Sequence, residues 1–209
     1  MLIIGLTGSI GMGKSTAAER FRRNGVAVFD ADATVHELYR STAAPAIEDA
    51  FPGTTENGVV NRGKLAAALL ETPKKFSRLE AIVHPMVREA ERQFLHDQVQ
   101  RGAKLAVLEI PLLIETGADS MVDVVVVVSA DPETQMTRVL ERPGMSVEKL
   151  EQILSRQMPD SEKRKRADFV VDTNGPIESA QSAVDAIIQQ LSEDQGQTYA
   201  HQAYQRYWS

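Results

Sequence analysis

The sequence predicts an α/β fold: a P-loop core of three α/β/α layers around a parallel five-stranded sheet, carrying a helical substrate-binding insertion and a helical lid. Three observations predict it. An apolar run, Leu2-Ile3-Ile4-Gly5-Leu6, feeds directly into Gly8-Ser9-Ile10-Gly11-Met12-Gly13-Lys14-Ser15, which reads G-x-x-x-x-G-K-S. That is the P-loop pattern in the context its physics needs, the end of a strand and the start of a helix. Four further short apolar runs follow, with helical segments between most of them, which is the β-α-β signature of a parallel sheet. Between Phe29 and Leu105 the pattern changes to helical segments with no convincing strand, a stretch too long for a simple crossover.

Taken in order, the first strand is followed by a helix from about Lys14, which Asn24-Gly25 is suited to end. Val26–Phe29 is the second strand. The insertion then reads as helices at about Ala33–Arg40, Gly63–Leu70 and Phe76–Gln100. The last is expected to be interrupted at His84-Pro85, where proline restarts a helix as its first residue. Leu105–Leu108 is a strand leading into Glu109-Ile110-Pro111. Val124–Val128 is all valine, as a strand buried on both faces would be. A smaller helical piece, about Pro132 to Met158, breaks at Arg142-Pro143-Gly144 and resembles the hinge of a mobile lid. Phe169–Val171 is the last strand and runs into Asp172-Thr173-Asn174-Gly175. The final helix starts near Pro176, with Ile177, Ala180, Val184, Ile187, Ile188 and Leu191 at helical spacing. The polar tail from Ser192 ends in Tyr199, Tyr204, Tyr207 and Trp208, which dock either on the body or on a partner. The expected domains are a nucleotide-binding core of residues 1–29 and 101–209, an insertion of residues 30–100 that holds the second substrate, and a lid of residues 132–160.

Composition sets limits on function. The chain has 209 residues, 43% hydrophobic and 25% charged, which suits one globular α/β domain with insertions. A net charge of −6 argues against a general nucleic-acid binder. With no cysteine, thiol chemistry, disulfides and cysteine-ligated zinc are excluded, and a reducing cytoplasm fits. The first residues read as a core strand, not as a secretory leader, and no apolar run reaches membrane-spanning length.

The chemistry follows from the P-loop. Its glycines let a short turn close around an anion with N–H groups inward, and the helix beginning at Lys14 adds the positive end of its dipole. ATP is expected on Gly8, Gly11, Met12, Gly13, Lys14, Ser15 and Thr16, with Lys14 reaching the β- and γ-phosphates and the Ser15 hydroxyl on Mg²⁺. In open parallel sheets, ligands bind beyond the carboxyl ends of the strands, so the residues that end each strand are candidates. Asp32 is the candidate base for an acceptor hydroxyl and Asp30 the second choice; the alternative for Asp32 is a plain helix N-cap. Glu109 is placed to act on Mg²⁺, directly or through water, or else to be a salt-bridged rim residue. Arg138 and Arg142 lie four apart on one helix face, able to reach a transferring phosphoryl group or simply to pair with nearby glutamates. Arg156, Lys163, Arg164, Lys165 and Arg166 form a basic run, read for the most part as solvated surface. His84, with Arg88 one turn later, either meets an anionic acceptor or acts as a local cap.

Several segments together resemble the dephospho-coenzyme A kinase family. They are Gly5-Leu6-Thr7 running into the P-loop, Asp30-Ala31-Asp32, His84-Pro85-Met86-Val87-Arg88, Ile110-Pro111-Leu112-Leu113-Ile114-Glu115, Gln135-x-x-Arg138-x-x-x-Arg142, Arg156-Gln157-Met158-Pro159 with Lys163, and Ala167 to Gly175. The likeness implies transfer of the ATP γ-phosphate to the ribose 3′-hydroxyl of dephospho-CoA, giving CoA and ADP. It implies a nucleoside-monophosphate-kinase-like core, with ATP and Mg²⁺ as cofactors and dephospho-CoA as the small-molecule partner. By the same resemblance Asp32 is the catalytic base, helped by Lys14, Arg138 and Arg142. Asp30, His84 and Arg88 lie on the acceptor side, and Asn174 lies near the adenine. Ser9 stands where glycine is common, Met12 where a smaller residue is frequent, and Glu109 where aspartate is frequent. The rival readings are a kinase for another small acceptor such as a nucleoside monophosphate, a nucleotide switch, and a nucleic-acid-dependent ATPase. The switch lacks its Asn-Lys-x-Asp segment here, and the acidic balance opposes the ATPase.

Overall fold

A computed structural model describes residues 1–69, 73–194, 198–199 and 201–209. Its contacts divide the chain into two compact units, Met1–Phe29 with Leu95–Ser209, and Asp30–Phe94.

The first unit is built on a five-stranded parallel sheet flanked by helices. Its strands are β1 (Leu2–Thr7), β2 (Ala27–Asp30), β5 (Leu105–Glu109), β6 (Val124–Ser129) and β7 (Phe169–Asp172), in the spatial order β2-β5-β1-β6-β7. β1 is central. Leu6 pairs with Glu109 on one side, and Thr7 with Val127 on the other. The valine run divides its side chains between the two faces, as a pleated strand must. Val124, Val126 and Val128 join Leu2, Ile4 and Leu6 under α1 (Lys14–Arg23) and α9 (Ile177–Glu193), while Val125 and Val127 pack with Leu113, Ile114 and Ala118 on the opposite side. All six residues of β6 are buried, so the run carries no polar alternation.

Helix ends follow local chemistry. α1 stops at Asn24 because Gly25 turns left-handed (φ +77°), which lets the Gly25 N–H bond the Arg22 carbonyl and the Val26 N–H bond the Phe21 carbonyl. Arg20, Arg22 and Arg23 in its last turn complement the negative end of the helix dipole. The region from 132 to 160 holds α6 (Pro132–Leu140) and α7 (Val147–Leu154), parted by a turn in which Gly144 is left-handed. A further short helix, α8 (Asp160–Lys165), takes up most of the basic run. Arg164, Lys165 and Arg166 are exposed as expected, but Lys163 is fully buried, with its ammonium 2.8 Å from Glu115 Oε1.

The aromatic tail docks on its own unit. The Gln202 and Ala203 N–H groups donate to Asp123 Oδ1, and the Ile3 N–H donates to Oδ2 of the same carboxylate. Trp208, 3% exposed, donates its indole N–H to the Met121 carbonyl, and Tyr199 packs beside Phe169.

The second unit contains α2 (Ala31–Leu38), α3 (Ala43–Ala50), β3 (Thr55–Glu56), β4 (Val59–Val60), α4 (Arg62–Leu69) and most of α5 (Pro73–Gln100). Its core gathers Ala44, Ile47, Phe51, Val60, Leu65 and Val83. Three expectations are corrected here. A strandless insertion was expected, yet β3 and β4 form an antiparallel hairpin with Glu56 opposite Val59. Asn57 (φ +51°) and Gly58 (φ +76°) make the two-residue turn, and Asn-Gly is the pair best able to hold both left-handed positions. α3 was not foreseen at all. Third, α5 does not break at His84-Pro85 but runs unbroken through it. Proline in a helix interior costs about 3 kcal/mol. Val83 is buried in the unit's core and, on the other side of the proline, Met86 and Val87 pack partly buried against it, and full burial of one such side chain is worth about 1.5–3 kcal/mol. Leu70, the expected end of the middle insertion helix, lies outside the described residues.

Candidate active site

The Gly8–Ser15 turn is held by close approaches that only glycine permits. A Cβ on Gly8 would lie 2.3 Å from Val128 Cγ2 and 2.8 Å from the Val128 carbonyl. Gly11 (φ +78°) and Gly13 (φ +87°) both need the left-handed region, and Gly13 leads directly into α1. Ser9 and Met12 need no such conformation, which is how a serine and a bulky methionine fit the loop. Met12 is 3% exposed, and its sulfur accepts the Ala130 N–H at 3.0 Å, so the side chain ties the turn to the end of β6. No acidic residue stands in the first turn of α1, leaving the positive end of the dipole unopposed there.

Lys14 and Glu109 meet: Nζ donates to Oε1 at 2.7 Å, and Arg22 approaches Oε2 at 3.5 Å. Glu109 is 2% exposed. Ser15 and Thr16 open the helix beside this pair, and the Thr16 N–H bonds the Gly13 carbonyl.

Arg138 reaches the end of β7. Its guanidinium donates to Thr173 Oγ1 at 3.1 Å and to the Thr173 carbonyl at 2.5 Å. The Thr173 hydroxyl in turn donates to the Met12 carbonyl at 3.0 Å. One buried threonine thus joins the turn, β7 and α6. Arg138, Arg142, Gly11, Gly13 and Thr16 line one cavity of about 250 Å³. Asn174 adjoins this group, its side-chain oxygen accepting the Asp131 N–H at 2.7 Å. Sequence reasoning passed over Thr173, although it sits at the unspecified position of Asp172-x-Asn174; an x in a pattern hides a role that only packing reveals.

In the second unit, the cap of α2 is Asp30, whose Oδ1 accepts the Ala33 N–H at 2.9 Å. Asp32 lies in the first turn, so capping does not occupy its carboxylate. It is exposed, on the rim of a cavity of about 330 Å³ whose other polar members are His36, Tyr39 and Arg62. Burial raises the Tyr39 phenol pKa, opposed by the charge of Arg62. His84 is exposed on α5, and Arg88, one turn on, pairs with Glu91 at 3.1 Å. Glu91 is 3% exposed; burial raises its pKa, and Arg88 offsets only part of that.

Among the described residues, no group of three or more His, Cys, Asp or Glu side chains is placed to hold a metal, and no helix is long and apolar enough to cross a membrane.

Comparison with known proteins decides the family. The sequence model of dephospho-CoA kinases matches residues 2–179. The chain belongs to the dephospho-CoA kinase family. The dephospho-CoA kinase of Brucella melitensis is 55% identical over 192 residues, covering 92% of this chain and 96% of the relative. That of Agrobacterium fabrum is 56% identical over 191 residues, covering 91% and 98%. Among solved structures, a Thermus thermophilus protein superposes with a TM-score of 0.78 at 37% identity, covering 91% of this chain and 97% of that one. The dephospho-CoA kinase pattern includes both the Gly8–Ser15 turn and all of Asp30–Phe94, so the kinase shares with its relatives more than a generic nucleotide core.

Proposed function

We propose that the kinase transfers the γ-phosphoryl group of ATP to the ribose 3′-hydroxyl of dephospho-CoA, giving CoA and ADP. The acceptor oxygen bonds to the γ-phosphorus as the bridge from that phosphorus to the β-phosphate breaks. Asp32 takes the hydroxyl proton, and ADP leaves with the bridging oxygen. ATP lies on residues 8–16, with Lys14 on the β- and γ-phosphates. Arg138 and Arg142 neutralise the charge on the moving group, with guanidinium geometry suited to phosphate oxygens. The cavity beside them has an apolar wall of Ala17, Ala180 and the 59% exposed Ile177, which suits a nucleobase, with Asn174 near the adenine. Asp30, His84 and Arg88 belong to the acceptor side, and within the 132–160 region the stretch around α7, between the anchored Gln135 and Gln157, closes as a lid that excludes water.

The Ser15 hydroxyl, exposed at the start of α1, suits Mg²⁺, an ion that keeps most of its waters and takes phosphate oxygens for the rest. Glu109 is held by Lys14 at 2.7 Å and approached by Arg22 at 3.5 Å, so it would act on the ion through water once Lys14 turns to the phosphates. Bound there, the ion supplies neutralisation of the β- and γ-phosphates. The work belongs in the cytoplasm, with small molecules rather than nucleic acid as partners, in keeping with the net charge of −6.

The observation that carries this reading is the match over residues 2–179, because it takes in the anion-gripping turn and the Asp30-Ala31-Asp32 and His84-Pro85 segments together. ADP release measured with dephospho-CoA, nucleoside monophosphates, DNA and ATP alone tests it. Turnover is expected with dephospho-CoA only, with a product heavier by one phosphoryl group. Equal ADP release with ATP alone, or preference for a nucleoside monophosphate, overturns it.

A further inference from the structure

Ile10 sits at the crest of the anion-gripping turn, and two glutamine side chains hold its two peptide groups. The Ile10 N–H donates to Gln157 Oε1 at 3.2 Å, and Gln135 Nε2 donates to the Ile10 carbonyl at 2.7 Å. Both glutamines come from the 132–160 region, Gln135 from α6 and Gln157 from the segment between α7 and α8. The N–H of Ile10 is therefore engaged by Gln157. In a trans peptide, a carbonyl and the following N–H point opposite ways. Holding the Ile10 carbonyl against Gln135 turns the Gly11 N–H away from α6, and Gly11 lines the cavity that Arg138 and Arg142 share.

Both arms of this clamp are braced. Gln135 is 6% exposed, and a Cβ on Gly11 would lie 2.6 Å from Val139 Cγ2 and 3.1 Å from the Gln135 carbonyl, so the turn lies against α6 with no room for a side chain on Gly11. Beside Gln157, the Met158 N–H donates to Glu115 Oε1 at 2.8 Å, and the fully buried Lys163 stands 2.8 Å from the same oxygen. A buried lysine with a carboxylate partner is expensive to disrupt, so the residue next to Gln157 is fixed firmly.

We propose that Gln135 and Gln157 are positioning residues: by gripping the two peptides of Ile10 they aim the Gly11 N–H at the triphosphate and couple the 132–160 region to ATP. Neither touches the reacting atoms. The inference rests on reading the turn as the ATP site, but the clamp itself is testable apart from activity.

The two contacts have opposite polarity, which gives a built-in control. Gln157 accepts, so Gln157→Glu keeps the bond and Gln157→Met loses it. Gln135 donates, so both Gln135→Glu and Gln135→Met lose it. Amide exchange at Ile10, read by NMR on the full chain without nucleotide, is expected to be about tenfold faster in Gln157→Met and near the original rate in Gln157→Glu. One net hydrogen bond corresponds to about fivefold in an equilibrium. KM for ATP is accordingly expected to rise about fivefold in Gln157→Met and in Gln135→Met, with kcat and the acceptor KM little changed. Unchanged Ile10 exchange in Gln157→Met overturns the clamp. So does an ATP KM that stays put in both methionine variants, or a fall in kcat with a rise in both KM values alike, which is the mark of general structural damage. Should the unsubstituted protein not bind ATP at all, the reading of the turn fails, and the exchange result still decides the clamp.

Discussion

Lys14 Nζ lies 2.7 Å from Oε1 of Glu109, joining the first residue of α1 to the last of β5. β1, which leads into the turn before α1, is a neighbour of β5 in register, with Leu6 opposite Glu109, so the sheet brings Glu109 to the end from which α1 starts. Lys14→Ala removes the nearest cation from a carboxylate that is 2% exposed and leaves it with Arg22 at 3.5 Å. The expected outcome is weaker ATP binding, a kcat lower by about 10²–10³, and a lower melting temperature, from steady-state kinetics and thermal melts on the same sample. Original kinetics in this variant would contradict the nucleotide role of the turn.

Asp32→Asn tests the proposed base. Because Asp30 caps α2, the substitution leaves the helix start intact. kcat is expected to fall by about 10²–10⁴ while ATP affinity, measured by calorimetry, holds. Unchanged turnover would remove Asp32 from proton transfer.

Gly8→Ala tests the close approach under the turn. The new methyl would stand 2.3 Å from Val128 Cγ2 and 2.8 Å from the Val128 carbonyl, and the carbonyl cannot move without disturbing β6. Denaturant unfolding is expected to show a loss of about 1–3 kcal/mol, with impaired ATP binding. Adding Val128→Ala relieves the side-chain clash but not the backbone one, so only partial recovery is expected; full recovery would mean the backbone contact is unimportant.

Glu91 gives a pH dependence with a definite sign. Its pKa in the folded protein is raised, chiefly by burial, with Arg88 acting against the rise. A raised acid binds its proton more tightly in the folded state than in the unfolded one. Its contribution is fully present below the ordinary carboxylate value and is lost as pH climbs through the raised one. Glu91→Gln is therefore expected to flatten the stability profile across that window, and to compare more favourably with the original protein at pH 8 than at pH 5. Urea titrations at the two values check this. A stability difference that does not change between them would mean Glu91 titrates as an ordinary carboxylate.

The sequence was most legible where one residue type serves one physical need. The all-valine run, the Gly8–Ser15 turn and the Asn24-Gly25 stop each depend on local sterics, and each stands where it was expected. Legibility fell where the deciding partner is distant. Composition alone does not separate Lys163 from Arg164 in the basic run, and although the family resemblance includes Lys163, its burial depends on Glu115, which lies far off in sequence. Pro85 reads as a break because local rules know its cost but not the packing of Val83, Met86 and Val87 that offsets it. The β3–β4 hairpin was missed for another reason: its strands of two residues are too short to show alternation, and only Asn57-Gly58 announced it. The contacts at Ile10 escaped although Gln135 and Gln157 both stand in segments that carry the family resemblance, because a motif does not say which distant backbone group a side chain meets.

Trp208 is the molecule's one indole, and it is sealed against Met121, just ahead of β6, whereas Gly8 and Lys14 follow the carboxyl end of β1, whose partner β6 runs parallel to it. The chain thus carries a native fluorophore at the opposite margin of the sheet from the Gly8–Ser15 turn. Its emission should report whether that unit is intact while staying indifferent to nucleotide, so melts of substituted enzymes can be read optically even at saturating ATP.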